Sequence, residues 1–168
     1  MVDLTGWILP LILWAQSLSG PVAYLGVFVV SFIGSASIFL PLPSALLVVA
    51  FGGILNPFAV GIIAGAGAAL GETIGYFVGL GGRKLAKDNK WLVRAEKWAE
   101  HYSAFIIITL FAATPLPDDI TGILAGAIKY NIKKFVLASF IGKTILFTIL
   151  ALAGAYGIES LINILSVG

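Results

Sequence analysis

From Leu4 to Leu80 the sequence carries a single charged side chain, Glu72. A soluble fold of 168 residues has too little interior to hide so long an apolar stretch. The whole chain is 60% hydrophobic and 11% charged, with a mean hydropathy of +1.06. Soluble domains average about 45–50% apolar and about 25% charged residues. The apolar runs are therefore expected to face lipid, in a multi-pass integral membrane protein.

The basic residues are concentrated. Arg83, Lys84, Lys87, Lys90, Arg94 and Lys97 form one group, and Lys129, Lys133 and Lys134 a second. The positive-inside rule puts both on the cytoplasmic face, with the plasma membrane as the expected location. A net charge of +2 then reflects topology, and nucleic acid is not expected as a partner. Cysteine is absent, which excludes thiolate metal sites and Cys nucleophiles, and His101 is the only histidine. No metal, no cofactor and no enzymatic activity are expected. Residues 1–20 contain no Lys or Arg, so a cleaved signal is not expected either.

The expected fold is all-α, one membrane domain over 1–168. Residues 4–18 are apolar but broken by Pro10, and read as an interfacial or half-inserted segment within 1–20. Residues 21–40 are uncharged; they form either a span or the first arm of a hairpin. Pro41 and Pro43 break the helix, and a second arm follows over 45–55. Residues 58–80 are a full span. Residues 81–101 form a polar cytoplasmic linker, amphipathic over 91–101. Residues 103–128 are apolar but interrupted at Thr114–Asp119, where Pro115 and Pro117 fall, and 135–158 form the last span. Loops 81–101 and 129–134 are both basic, so the segment between them enters and leaves on one face. Its first arm, 103–114, covers only about 18 Å as helix, against a hydrocarbon core of roughly 30 Å. That predicts a re-entrant helical hairpin.

The pattern occurs twice. Pro41-Leu42-Pro43-Ser44 matches Pro115-Leu116-Pro117-Asp118, and Gly71-Glu72-Thr73-Ile74 matches Gly142-Lys143-Thr144-Ile145. Repeat 1 covers 21–80 and repeat 2 covers 102–158. The first ends at the cytoplasmic linker and the second starts from it, so the two are inverted. Inverted repeats with broken helices place a transport site near the bilayer midplane.

Charges inside spans mark that site. Glu72 and Lys143 stand at corresponding points of the repeats, and an intramembrane ion usually faces a partner or a wet cavity. Asp118 and Asp119 follow the second proline break, as an N-cap and first-turn acid or as ligands for a proton or cation. Ser44 is the corresponding cap. Gly67, Gly71, Gly75 and Gly79 recur every four residues, a small-residue face for helix packing, and Gly122 and Gly126 repeat the spacing. Tyr76, one turn beyond Glu72, is placed to hydrogen-bond to it.

Residues 35–157 resemble the DedA family, also described by its VTT or SNARE-associated domain. The motifs that carry the resemblance are Gly67-x3-Gly71-Glu72-x2-Gly75-Tyr76-x2-Gly79, the proline-broken tips, and Leu124-Ala125-Gly126-Ala127 followed by Phe135 and Gly142-Lys143. The resemblance implies two opposed re-entrant hairpins and a lipid flippase or scramblase for phospholipid or polyprenyl phosphate, proton-coupled in some members. Glu72 aligns with the family's acidic residue and Lys143 stands where a basic residue is common, while Asp118 and Asp119 are read from their own position as groups that could join them in handling protons or a cation. It leaves a homo-oligomer open. Ser44-Ala45 and Asp118-Asp119 stand where many members carry an acid and an arginine, respectively. Two other readings are a proton- or sodium-coupled exporter of small ions and an intramembrane enzyme acting on lipid phosphates.

Overall fold

The computed structural model describes residues 20–37, 44–83, 103–114 and 119–166, with residues 94 and 97; side chains of the last helix are described through Gly157. The described residues form six helices and no strand: α1 (Pro21–Ala36), α2 (Ser44–Gly52), α3 (Pro57–Arg83), α4 (Ser103–Ala112), α5 (Asp119–Ala127) and α6 (Ile132–Ser166). The segment 4–18, the tip prolines Pro41, Pro43, Pro115 and Pro117, and nearly all of the linker beyond Arg83 lie outside the described residues.

Among the described residues, two helices are long and apolar enough to cross a membrane: α3, with 27 residues, and the first 26 residues of α6. At 1.5 Å per residue each reaches about 40 Å, beyond a core of roughly 30 Å. α1 has 16 residues and reaches only about 24 Å, short of that core. Both long helices outrun the boundaries read from sequence, for local reasons. α3 continues through Gly81 and Gly82 because Arg83 is anchored at its end: its Nη1 donates to the Ala127 carbonyl at 3.0 Å. α6 starts at Ile132, so Lys133 and Lys134 lie in its first turn and not in a loop. Asn131 sets that start, its Oδ1 accepting the N–H groups of Lys133 and Lys134 at 3.0 and 3.2 Å. Asn56 caps α3 the same way, accepting from Phe58 and Ala59, both at 3.1 Å.

Glycine decides how the helices pack. α3 and α6 cross antiparallel, with Gly61 against Thr148 and Gly65 against Thr144. Without side chains there, the two backbones approach closely. Gly67 and Gly71 take the backbone of α1 at Phe28 and Phe32, and Gly142 takes α4 at Thr109 and Ala113. The second arms cross over. α2 packs on α6, with Gly52 against Ala151 and Gly154 against Val49; α5 packs on α3, with Gly126 against Tyr76 and Gly79 against Ile123. The four-residue glycine face of α3 is thus divided. Gly67 and Gly71 serve α1, while Gly79 serves α5 and Gly75 is buried near Gly122.

The core has two lobes. One joins Val27, Val48, Phe51, Val60, Ala64, Ala68, Leu146, Phe147 and Ala151. The other joins Tyr76, Ala104, Ile108, Ala125, Tyr130, Phe135 and Ala138. Outward, Val22, Leu25, Val29 and Ile33 line one face of α1, and Leu70, Ile74, Phe77 and Val78 lie open on α3. A continuous apolar exterior of this kind is a lipid-facing surface.

Candidate functional site

The two lobes are interrupted at the same level. α3 contributes to the first lobe up to Ala68 and to the second from Tyr76; α6 contributes to the second up to Ala138 and to the first from Leu146. Glu72 and Lys143 lie in this gap, only 3% and 6% exposed, with Lys143 Nζ 3.1 Å from Glu72 Oε1. Side chains lean toward the N-terminus of their own helix. On antiparallel helices, Glu72 and Lys143 therefore lean toward one another. The ammonium also sits 5.8 Å from the centroid of the Phe147 ring.

The arms end beside this pair. Ser35 and Ala36, at the end of α1, pack on Gly71, the neighbour of Glu72. Ala112 and Ala113, at the end of α4, pack on Gly142, the neighbour of Lys143. At the start of α5, a Cβ placed on Gly122 would lie 3.1 Å from the Glu72 carbonyl oxygen. The end of α4 thus lies beside the neighbour of Lys143, and the first turn of α5 beside the backbone of Glu72. Asp118, in that break, lies outside the described residues, and Asp119 enters only through its backbone as the first residue of α5. Ser44 is the first described residue of α2.

Among the described residues, three buried hydroxyls lack a hydrogen-bond partner: Ser31 on α1, and Ser139 and Thr144 on α6, the last seated against Gly65 of α3. Ser31 and Ser139 are 1% and 0% exposed, so their desolvation is complete. Other helix hydroxyls are satisfied locally. Thr73 donates to the Leu70 carbonyl at 2.6 Å and Thr109 to that of Phe105 at 2.9 Å. Ser31 and Ser139 carried no motif in the sequence; the available signal was a serine four residues before Lys143, on the same helix face.

Tyr76 does not turn to Glu72. Its hydroxyl donates to the Tyr130 carbonyl at 2.6 Å, in the turn between α5 and α6. With Arg83 on Ala127, it ties the end of α5 to α3. Arg83 is thus a buried helix anchor and not a solvated topogenic charge. In that turn, burial pushes the Tyr130 phenol above its ordinary range and keeps it neutral.

A carboxylate and an ammonium in mutual contact, enclosed by apolar lobes, can exchange a proton or yield one partner to an incoming ion. Each is held by the other, because a lone charge in that position costs several kcal/mol, about 3–5 when one partner is removed. Among the described residues, no three acidic or histidine side chains gather as a metal site would require.

These features define a helical membrane protein with a buried ion pair between its two long apolar helices. The family model of the VTT domain matches residues 42–156. The chain belongs to that family, the DedA or SNARE-associated group. No curated protein and no solved structure matches it.

Proposed function

We propose that the protein translocates the headgroup of a phospholipid or polyprenyl phosphate across the bilayer, with its tails left in lipid, and that Glu72 couples the movement to protons. The observation that carries this reading is the gap between the two lobes. It holds an acid and a base between the ends of short helices, and the helices that frame it carry three buried, unpartnered hydroxyls. Buried hydroxyls without protein partners are seats for water, and a polar, hydrated cleft is what a headgroup needs. Protonation of Glu72 releases the Lys143 ammonium, which is then available to a phosphate oxygen. Asp118 and Asp119 belong to the same proposal as further proton or cation groups at the second break. The activity is transport, with no bond made or broken in the lipid.

The architecture proposed with it is an inverted repeat of two re-entrant hairpins, α1–α2 and α4–α5, each followed by a span. Its support is the exchange of partners: α1 packs on α3 and α2 on α6, while α4 packs on α6 and α5 on α3. Rotation about an axis in the membrane plane relates the two sets.

The test is reconstitution into liposomes holding fluorescent phospholipid or polyprenyl phosphate, with and without a pH gradient. Wild-type protein is expected to speed loss of the label to an external quencher, and Glu72→Gln to remove the dependence on the gradient. Lipid movement no faster than in empty liposomes, for every lipid and gradient, refutes the proposal. Cation flux without lipid movement would favour a small-ion exporter, and a modified lipid product would favour an enzyme.

A further inference from the structure

A second polar feature lies at the opposite end of α6 from the first lobe, and the translocation site does not use it. An open groove of about 400 Å³ runs along the first two turns of the helix, its described walls formed by Ile132, Lys133, Val136, Leu137 and Phe140. Val136 and Phe140 are half-buried and Leu137 is 52% exposed, so the groove is apolar and open to the outside of the molecule. Lys133 lines its head, and Lys134, the next residue of the same first turn, and Lys129, in the turn that leads into the helix, are exposed as well. No Asp or Glu occurs between Asp119 and Glu159, so this end of α6 offers them no counter-charge. The helix N-terminus is already occupied, because Asn131 Oδ1 accepts the N–H groups of Lys133 and Lys134. Any anion there must be held by ammonium groups.

We infer that this groove binds one anionic diacyl phospholipid from the surrounding leaflet, its phosphate among Lys129, Lys133 and Lys134 and one acyl chain along Val136, Leu137 and Phe140. Charge and polarity fit this occupant in order. From Lys133 to Phe140 the helix rises about 10 Å, which carries the groove from headgroup level into the hydrocarbon. Juxtamembrane lysines attract anionic lipid on electrostatic grounds, and the effect is confined to about a Debye length. A second copy of the chain is a poorer occupant. Two-fold contact would bring the same three lysines face to face. The site concerns a lipid held at the rim, and it stands whether or not the central cleft moves lipid.

The chain lacks cysteine, so a single reporter can be placed without background. Ile141→Cys, beside the groove, and Ile149→Cys, two turns further along the same exposed face, are each labelled with bimane in the full-length protein. Each is reconstituted in phosphatidylcholine vesicles with a small, equal fraction of dibrominated phosphatidylglycerol or dibrominated phosphatidylcholine. Quenching at position 141 is expected to favour phosphatidylglycerol by about threefold, from the attraction of three lysines for one phosphate. The preference should fall to unity in 1 M salt and in the Lys129→Gln/Lys133→Gln/Lys134→Gln protein. It should also fall in Val136→Trp, which fills the groove without changing charge, and should be absent at position 149. Equal quenching by the two lipids at 141, an equal preference at 149, or a preference that survives either the lysine substitutions or Val136→Trp overturns the inference.

Discussion

At the scale of single residues, the ion pair sets the largest energetic stake. Removing one member leaves the other charged and enclosed, which costs about 3–5 kcal/mol, whereas replacing both by apolar groups of similar volume is often neutral. Lys143→Met and Glu72→Gln are therefore each expected to destabilise the protein, with Lys143→Met the more severe because it leaves a carboxylate. The double variant should recover most of the loss. Unfolding in mixed micelles, run as a double-mutant cycle, measures this; single losses that simply add would show the two side chains are not coupled. Tyr76→Phe is a milder case. It removes a buried bond to the Tyr130 carbonyl and is expected to cost about 1–2 kcal/mol. Glu72 and Lys143 were legible in the sequence because an ion inside an apolar span has few bland explanations. Ser31, Ser139 and Arg83 were not. A serine in a membrane helix usually bonds its own backbone, and a terminal arginine usually reaches water; only tertiary contact shows that these three do otherwise.

At the scale of elements, the prediction concerns which glycines matter. Gly126 and Gly81 have the same composition and opposite surroundings. A side chain at Gly126 would run into the Tyr76 carbonyl, and one at Gly81 meets nothing within 4 Å. Gly126→Leu is expected to force α5 from α3 and cost about 1–3 kcal/mol or more. Gly81→Ala is expected to add about 0.5–1 kcal/mol by limiting the unfolded backbone. Thermal unfolding in detergent distinguishes them, and equal effects would contradict the packing described. Lys129 tests the end of α5. Its φ of 52° places a lysine in the left-handed conformation, while Lys129 N and Tyr130 N donate to the Gly126 and Ala125 carbonyls. That is a Schellman ending with lysine where glycine is unstrained. The existence of each helix followed from apolar runs and proline breaks, and the glycine spacing announced close packing. The division of that glycine face between α1 and α5 was hidden, because spacing shows a face and not its partners. The register was also only half visible. Gly71 and Gly142, which receive the ends of α1 and α4, stand 71 residues apart. The caps Asn56 and Asn131 stand 75 apart, one helical turn more. The motif match fixed the first offset and missed the second.

At the scale of the whole molecule, the packing directions determine which ends share a face of the membrane. α1 runs parallel to α3, since Phe28 meets Gly67 and Phe32 meets Gly71. The starts of these two helices, Gly20 and Asn56, therefore lie on one side. By the antiparallel crossing of α3 on α6, the end of α3 lies with the start of α6. α5 runs parallel to α3, with Gly122 near Glu72 and Gly126 near Tyr76, so its end at Lys129 is on that second side too. A pair of re-entrant hairpins requires that 20 and 56 face one compartment and that 82, 103 and 129 face the other. On that arrangement the positive-inside rule would assign the second compartment, which holds Lys129, Lys133 and Lys134, to the cytoplasm. Single cysteines at these five positions, in a chain with none of its own, convert the arrangement into a labelling pattern. A membrane-impermeant maleimide added to intact cells should modify 20 and 56 and spare 82, 103 and 129; permeabilisation should expose all five. Labelling of 20 and 56 from opposite sides would mean that the α1–α2 segment crosses the bilayer completely. That outcome would leave α3 and α6 as spans and the Glu72–Lys143 pair intact, but it would remove the inverted repeat and with it the symmetric route from each face to the central cleft.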